Sequence, residues 1–262
     1  MSRACNILRL SRSAYLYKPA EKRDHSVTKA LLLASKEHPR WGFEKLFALL
    51  KNQGYKWNHK RVYRVYKENN LNLRSKKKKR LKRAALQPLC QSLKPNVEWS
   101  MDFMHDALSS GRSIRTFNII DNYSREALAI SIDYSLPARR VVQTLDQLKL
   151  VRGLPRRVRV DNGPEFVSNQ LSQWAQNNNV ELVFIQPGQP HQNGLIERFN
   201  RTYREEVLDY YVFKSVDQVR DLTYKWLKAY NSKRPHCSLG NKSPHEFMRL
   251  NGYEGYSHFT WY

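Results

Sequence analysis

Three acidic residues stand where a carboxylate can do chemistry. Asp102 lies within the segment WSMDF, Asp161 within VDNGPEF and Glu197 within NGLIERFN. Carboxylates hold hard divalent cations such as Mg²⁺. A pair of such ions supplies the positive charge that phosphodiester transfer needs on the phosphate and on the attacking and leaving oxygens. The three acids are therefore candidate ligands of a two-metal site, provided that the fold brings them together.

Each acid also has an ordinary structural interpretation. Asp161 follows an apolar strand pattern and precedes Asn162 and Gly163, so it is also a good cap for the next turn. Glu197 stands next to Arg198, and such a pair is typical of a helix surface. The joint pattern of three acids on three predicted elements favours the metal site. Without metal, such a cluster would raise the pKa of at least one acid by mutual repulsion.

The second half of the chain predicts the elements that would position these acids. The segments VEWSMDF, IRTFNIIDNY and ALAISIDYS predict three antiparallel strands, with turns at 109–111 and near Ser124. A helix, a fourth strand ending at Asp161, a second helix, a fifth strand and a long helix carrying Glu197 follow. This order predicts an α/β fold with a mixed five-stranded sheet flanked by helices. If the first and fourth strands are neighbours, Asp102 stands beside Asp161, and the last helix can bring Glu197 within reach.

The charge of the chain is strongly uneven. It carries 46 Lys and Arg against 23 Asp and Glu, a formal net charge of +23. Residues 1–98 hold 25 basic and 6 acidic side chains, whereas residues 99–262 hold 21 and 17. A strongly basic region attracts polyanions, so nucleic acid is the expected partner.

The basic first part predicts three short helices, the outline of a helix-turn-helix reader of DNA. Asn58 can cap the third helix, whose Val62, Val65 and Tyr66 form an inward stripe. The outward face carries four candidate DNA contacts: Lys60, Arg61, Arg64 and Lys67. An ordinary solvated helix face is the alternative. A block of like charge follows, either a phosphate-neutralising segment or a solvated tether: Lys76, Lys77, Lys78, Lys79 and Arg80.

Two further groups near Glu197 are candidate DNA contacts. Gln192 and Asn193 belong to a polar loop just before the predicted helix. Arg198 and Arg201 lie near Glu197 on that helix, where they can contact phosphate or pair with a carboxylate of the fold. Plain loop chemistry is an equal alternative for the first group.

These segments also carry a family resemblance. WSMDF, VDNGPEF, the 35 residues between Asp161 and Glu197, and NGLIERFN resemble the Asp-Asp-Glu triad of integrase-type transposases and retroviral integrases. The segments WGFEKLF, WNHKRVYRVY, FIQPGQPHQNGLIERFN and YNSKRPHCSLG resemble the second-reading-frame transposase of the third large family of bacterial insertion sequences. The resemblance runs from about residue 4 to residue 247.

The resemblance implies a ribonuclease-H-like catalytic core behind a helix-turn-helix region, and DNA cleavage and joining as the activity. It implies that Asp102, Asp161 and Glu197 are catalytic and hold two Mg²⁺ ions, for which Mn²⁺ can substitute. The implied partners are DNA at the element ends and the target, further copies of the chain in a synaptic complex, and a helix-turn-helix protein from an upstream reading frame. The alternatives are an inactive DNA-binding remnant or regulator, and a stand-alone nuclease of the same fold.

These observations divide the chain into four parts: a helical DNA-binding region at 1–74, a basic linker at 75–94, the catalytic core with its C-terminal helix at 95–250, and a tail at 251–262. Cys5, Cys90 and Cys237 are odd in number and far apart, which favours neither a disulfide framework nor a zinc site. No apolar run has membrane length and the polar start lacks a secretory core, so a cytoplasmic location in bacteria is expected.

Overall fold

The computed structural model of the protein describes residues 2–17, 24–73, 92–186 and 190–253. Its first two stretches contain five helices: α1 Ser2–Ile7, α2 Arg12–Leu16, α3 His25–Glu37, α4 Phe43–Asn52 and α5 His59–Glu68. The basic block Lys76, Lys77, Lys78, Lys79 and Arg80 lies outside the described residues, as do most of the predicted linker and of the predicted tail. The predicted domain boundaries therefore stay predictions.

Helices α3, α4 and α5 enclose a small core of their own. Asn58 caps α5 as predicted, since its Oδ1 accepts a hydrogen bond from Lys60 N at 2.9 Å. The predicted inward stripe of α5 is buried and packs with side chains of α3 and α4: Val62, Val65 and Tyr66 with Leu31, Leu46 and Leu49. This confirms the predicted small all-α region before the sheet.

The rest of the described chain forms one sheet with helices on both faces. Its strands are β1 Glu98–Ala107, β2 Ser113–Asp121, β3 Ala127–Asp133, β4 Arg157–Val160 and β5 Glu181–Phe184. Its helices are α6 Ala138–Arg152, α7 Asn169–Asn177, α8 Gly194–Tyr203, α9 Val216–Lys233 and α10 Pro244–Leu250. The strand order is β3-β2-β1-β4-β5. Strands β1, β2 and β3 are antiparallel neighbours, whereas β4 is parallel to β1 and β5 to β4, so the predicted mixed five-stranded sheet is confirmed.

Alternation along β1 decides which residues face which helices. Trp99 and Met101 are buried against the α6 and α7 side, in one cluster with Leu145 and Leu171. Since successive side chains of a strand point to opposite faces, Asp102 points to the other face, which α8 and α9 cover. The Asp102 side chain therefore lies on the same face of the sheet as α8, the helix that carries Glu197.

The C-terminal part departs from the sequence prediction in three places. The predicted long helix is α-helical only to Tyr203 and continues as a π-helical turn at Arg204–Leu208. The segment LTYKWLKAY predicts a helix from Leu222. Helix α9 begins six residues earlier, at Val216, because Ser215 Oγ accepts from Gln218 N and caps it. Helix α10 was not predicted; Ser243 caps it and proline occupies its first turn.

The helical region contacts the core through buried residues near the end of α9. Arg234 is buried and forms an ion pair with Glu206. Its guanidinium also lies 5.6 Å from the ring centroid of Trp41, which precedes α4. Asn52 Nδ2 donates to Asn241 O at 3.0 Å. Among the described residues, no helix is long and apolar enough to cross a membrane.

Candidate active site

Two asparagine side chains connect the Asp102 carboxylate by hydrogen bonds to β2 and to α8. On β1, Asp102 pairs with Asn118 of β2. Asn118 Nδ2 donates to Asn200 Oδ1 at 2.7 Å, and Asn200 Nδ2 donates to Asp102 Oδ2 at 2.7 Å. Both asparagines are buried. The orientation of the carboxylate is therefore fixed by a hydrogen-bonded chain that also ties α8 to the sheet.

Asp161 stands at the point where β4 ends. The parallel register pairs Ser100 with Arg159, and extending it by two residues sets Asp161 beside Asp102. Asp161 Oδ1 accepts from Gly163 N at 3.0 Å. A Cβ on Gly163 would lie 2.9 Å from that same oxygen, so a side chain there would displace the carboxylate. The glycine of VDNGPEF is thus needed for the conformation of Asp161.

Glu197 lies exposed in the first turn of α8. It precedes Asn200 by three residues, so the two side chains share a face of the helix. Within the described part of the chain, Asp102, Asp161 and Glu197 form no ion pair with Lys or Arg. The predicted surface pair of Glu197 with Arg198 is therefore not formed.

The pKa of Asp102 depends on the charges of the other two acids. The pKa of Asp102 is raised from 3.8 to about 7, first because burial disfavours the charged carboxylate, and further because of the negative charges of Asp161 and Glu197. The hydrogen bonds from Phe103 N and Asn200 act in the opposite direction. The predicted repulsion between the acids therefore contributes to the raised pKa of Asp102, but burial is the larger cause.

Three carboxylates without basic partners fit a hard divalent cation by charge and by donor type. Their side chains do not form a finished metal site, since the described residues contain no group of three or more His, Cys, Asp or Glu arranged to hold an ion. Glu197, at the start of α8, is the most exposed of the three acids.

The candidate DNA contacts on α5 differ from one another. Lys60 and Lys67 are exposed. Arg61 Nε lies 2.8 Å from Asp24 Oδ1, and Arg64 Nη2 lies 2.7 Å from Asp24 Oδ2. These two arginines lower the pKa of Asp24 through hydrogen bonds. Two of the four predicted contacts therefore already have a carboxylate partner.

The candidate DNA contacts around Glu197 also divide into residues with partners in the fold and residues that are exposed. Gln192 Oε1 accepts from Gln186 N at 2.9 Å. Asn193 is buried, and its Nδ2 approaches Met101 O at 3.5 Å. Arg198 and Arg201 are exposed on α8. Loop residues are thus engaged within the fold, whereas the helix arginines are accessible.

Sequence reasoning missed the residues that support the acids. Asn200 had a usable signal, because it stands three residues after Glu197 on one helix face. Its partner Asn118 had none, since an Asn within a strand pattern gives no indication of a contact 82 positions away. Glu165, an acidic neighbour of Asp161, pairs with Arg115.

The comparisons with known proteins agree with this architecture. Family models described as "Integrase core domain" match residues 92–190 and 178–244, and one described as "HTH-like domain" matches residues 24–79. The uncharacterized 31.7 kDa protein of insertion element IS407 from Burkholderia multivorans is 38% identical over 94% of this chain and 89% of its own length. The transposase InsD of insertion element IS2 from Escherichia coli is 24% identical over 84% of this chain and 77% of its own.

The fold itself is shared with a viral integration complex. A chain of the cryo-EM structure of the simian T-cell lymphotropic virus intasome in complex with PP2A regulatory subunit B56 gamma superimposes with a TM-score of 0.53 at 16% identity, over 83% of this chain and 73% of that one. The protein therefore has the fold of an integrase core. It belongs to the family of insertion-element transposases that join an HTH-like domain to an integrase core. None of these comparisons bears on the upstream-frame partner, which stays a prediction.

Proposed function

We propose that this chain cleaves the ends of an insertion element and joins the freed 3′ hydroxyl to target DNA by phosphodiester transfer. The proposal is supported by the electrostatic interaction of Asp161 and Glu197 with Asp102, none of which has a Lys or Arg partner among the described residues, in a chain of net charge +23. An acid cluster left unneutralised amid so many cations supports binding of divalent metal ions there.

In this proposal Asp102, Asp161 and Glu197 hold two Mg²⁺ ions, for which Mn²⁺ can substitute. What the ions supply when bound is positive charge for the phosphate and for its attacking and leaving oxygens. Asn200 keeps the Asp102 carboxylate in one orientation, and Gly163 leaves room for that of Asp161. The exposed Glu197 completes the ligand set from α8. The site lies at the end of β4, where DNA can approach from solvent.

DNA binding follows from the charge distribution. We assign non-specific phosphate contacts to the exposed Lys60 and Lys67 of α5 and to Arg198 and Arg201 beside the site. Both element ends must be processed together, so we propose that more than one copy of the chain acts on them, in the bacterial cytoplasm.

The proposal is tested on labelled DNA carrying the two flanks of the element, with Mg²⁺, Mn²⁺ or EDTA. Wild type is compared with Glu197→Gln and with Glu205→Gln, an exposed glutamate on the same helical stretch that serves as the matched control. We expect 3′-hydroxyl nicks and joined strands from wild type and Glu205→Gln. Glu197→Gln should bind DNA equally and lose at least about 100-fold of both reactions, because transition-state charge stabilisation of several kcal/mol is removed.

Other outcomes point to other functions. Nicks without joined strands would indicate a nuclease. Binding that is indifferent to Mg²⁺, with no cleavage by wild type, would indicate a DNA-binding remnant and overturn the proposal.

A further inference from the structure

A buried carboxylate stands at the start of β1, four residues before Asp102. Glu98 is almost fully inaccessible, at 1% exposure. Arg159 of β4 reaches it twice, with Nε at 2.7 Å and Nη2 at 2.6 Å from Glu98 Oε1. Arg157, two residues earlier on β4, reaches the other oxygen at 3.4 Å. Arg159 is therefore the principal counter-charge of Glu98.

The same guanidinium makes a third contact, outside the strands. Arg159 Nη1 donates to Gln192 O at 2.9 Å. Gln192 belongs to the 3₁₀ turn Pro190–Asn193 that leads directly into α8. Its side chain in turn exchanges hydrogen bonds with Gln186, so the strand end and the helix start are held together. One side chain thus links β1, β4 and the beginning of α8.

The position of Arg159 makes this link relevant to the acids. Arg159 precedes Asp161 by two residues on β4, and Gln192 precedes Glu197 by five. A planar guanidinium with several fixed donors can hold a carboxylate and a carbonyl at once, whereas a lysine ammonium cannot match that fork. Arg159 therefore joins the strand that leads to Asp161 to the turn that leads to Glu197.

We propose that Arg159 is a positioning residue, which locks the start of α8 so that Glu197 meets Asp102 and Asp161. The inference rests on the proposed function for its catalytic consequence, but its structural consequence is measured without any reaction. Arg157 provides the matched control, because it shares the strand, the charge and the Glu98 partner but has no contact with Gln192 among the described residues.

The test uses the full chain in four forms: wild type, Arg159→Lys, Arg157→Lys and the double variant Glu98→Gln with Arg159→Gln. The double variant guards against misfolding, since it leaves no buried carboxylate without a partner. Amide hydrogen exchange is followed in EDTA at residues 192–200, with β1 and β4 as internal folding controls. Strand joining and DNA binding are measured separately over a range of Mg²⁺ concentrations.

We expect amides at the start of α8 to exchange about tenfold faster in Arg159→Lys and in the double variant, the factor implied by loss of one charge-assisted hydrogen bond. Arg157→Lys should match wild type. The two Arg159 variants should also need more Mg²⁺ for half-maximal joining, with DNA affinity unchanged. A purely electrostatic role would leave Arg159→Lys like wild type.

The outcomes separate the two proposals. Equal exchange in Arg159→Lys, the double variant and Arg157→Lys would overturn the positioning role, whatever the activity. An inert wild type with the expected exchange pattern would overturn the proposed function alone.

Discussion

Replacing Asp102 by asparagine should stabilise the metal-free protein. The pKa of Asp102 is raised in the folded chain, which means that the fold binds the proton more tightly than the unfolded chain does. Stability therefore falls as the pH rises from the unfolded pKa of 3.8 towards the folded pKa of about 7, and the loss is complete above that value. Asparagine keeps the shape and has no charge to bury, but its single oxygen can accept only one of the hydrogen bonds from Phe103 N and Asn200 Nδ2.

The size of the effect follows from the same pKa. Raising a carboxyl pKa from 3.8 to about 7 corresponds to about 4 kcal/mol, at roughly 1.4 kcal/mol per pKa unit. Asp102 is only half-buried, and solvent screens part of the repulsion from Asp161 and Glu197. We therefore expect a gain of about 1–2 kcal/mol at pH 8, after discounts for screening and for the one lost hydrogen bond.

The assay is urea unfolding in EDTA at pH 5 to pH 8, with Asp221→Asn, an exposed acid on α9, as the control. The difference between Asp102→Asn and wild type should grow with pH over this range. Adding Mg²⁺ should then stabilise wild type more than Asp102→Asn, because a ligand that binds only the folded state raises its stability by mass action. A variant that is no more stable than wild type at pH 8, or a difference that shrinks with pH, would refute the reasoning.

Three further predictions concern the fold and the DNA contacts. Phe117→Ala should lose about 3–5 kcal/mol of unfolding free energy in urea, because its ring is 1% exposed in the sheet core; a loss below about 1 kcal/mol would contradict this packing. Asn58→Ala should lose about 1 kcal/mol of cap stabilisation, whereas Asn58→Asp should lose little. Asp24→Asn should remove a carboxylate partner of Arg61 and Arg64, while Arg64 keeps its ion pair with Glu68. Each arginine that then contacts a phosphate should steepen the logarithmic salt dependence of DNA binding, measured by fluorescence anisotropy, by about 0.9; an unchanged slope would show that neither arginine gains a phosphate contact.

The strands were predictable because their apolar and aromatic runs are bounded by ordinary turn residues near Gly111 and Ser124. Helices cover both faces of the sheet, so β2 is buried along most of its length and its side chains alternate between two helical layers. The π-helical turn after Tyr203 was not predictable, because the pattern of REEVLDYY still indicates an α-helix. There the tertiary contact of Tyr203 OH with Thr223 at 2.6 Å and the burial of Val207 and Leu208 accompany a different winding.

The acids of the site were predictable as candidates, since each stands in a short segment with a recognisable element around it. The residues that hold these acids in place were not predictable. Asn118 contacts Asn200 across 82 positions, and Arg159 reaches Gln192 across 33. Such contacts depend on strand order and on the exact placement of α8, which single-sequence periodicity does not encode. The ion pairs of Arg61 and Arg64 with Asp24 were not predictable either, because they also join residues that are far apart in the sequence.

The neighbours of the candidate site show what the fold does with an ordinary acid. Glu98, four residues before Asp102, is neutralised by Arg159, and Glu165, four residues after Asp161, is neutralised by Arg115. The chain has twice as many basic as acidic residues, so partners for Asp102 and Asp161 were available. Burial first, and then the negative charges of Asp161 and Glu197, raise the pKa of Asp102 and lower the stability of the fold. A fold that bears this cost at one place, while pairing the neighbouring acids, supports the proposal that Asp102 and Asp161 serve binding rather than stability.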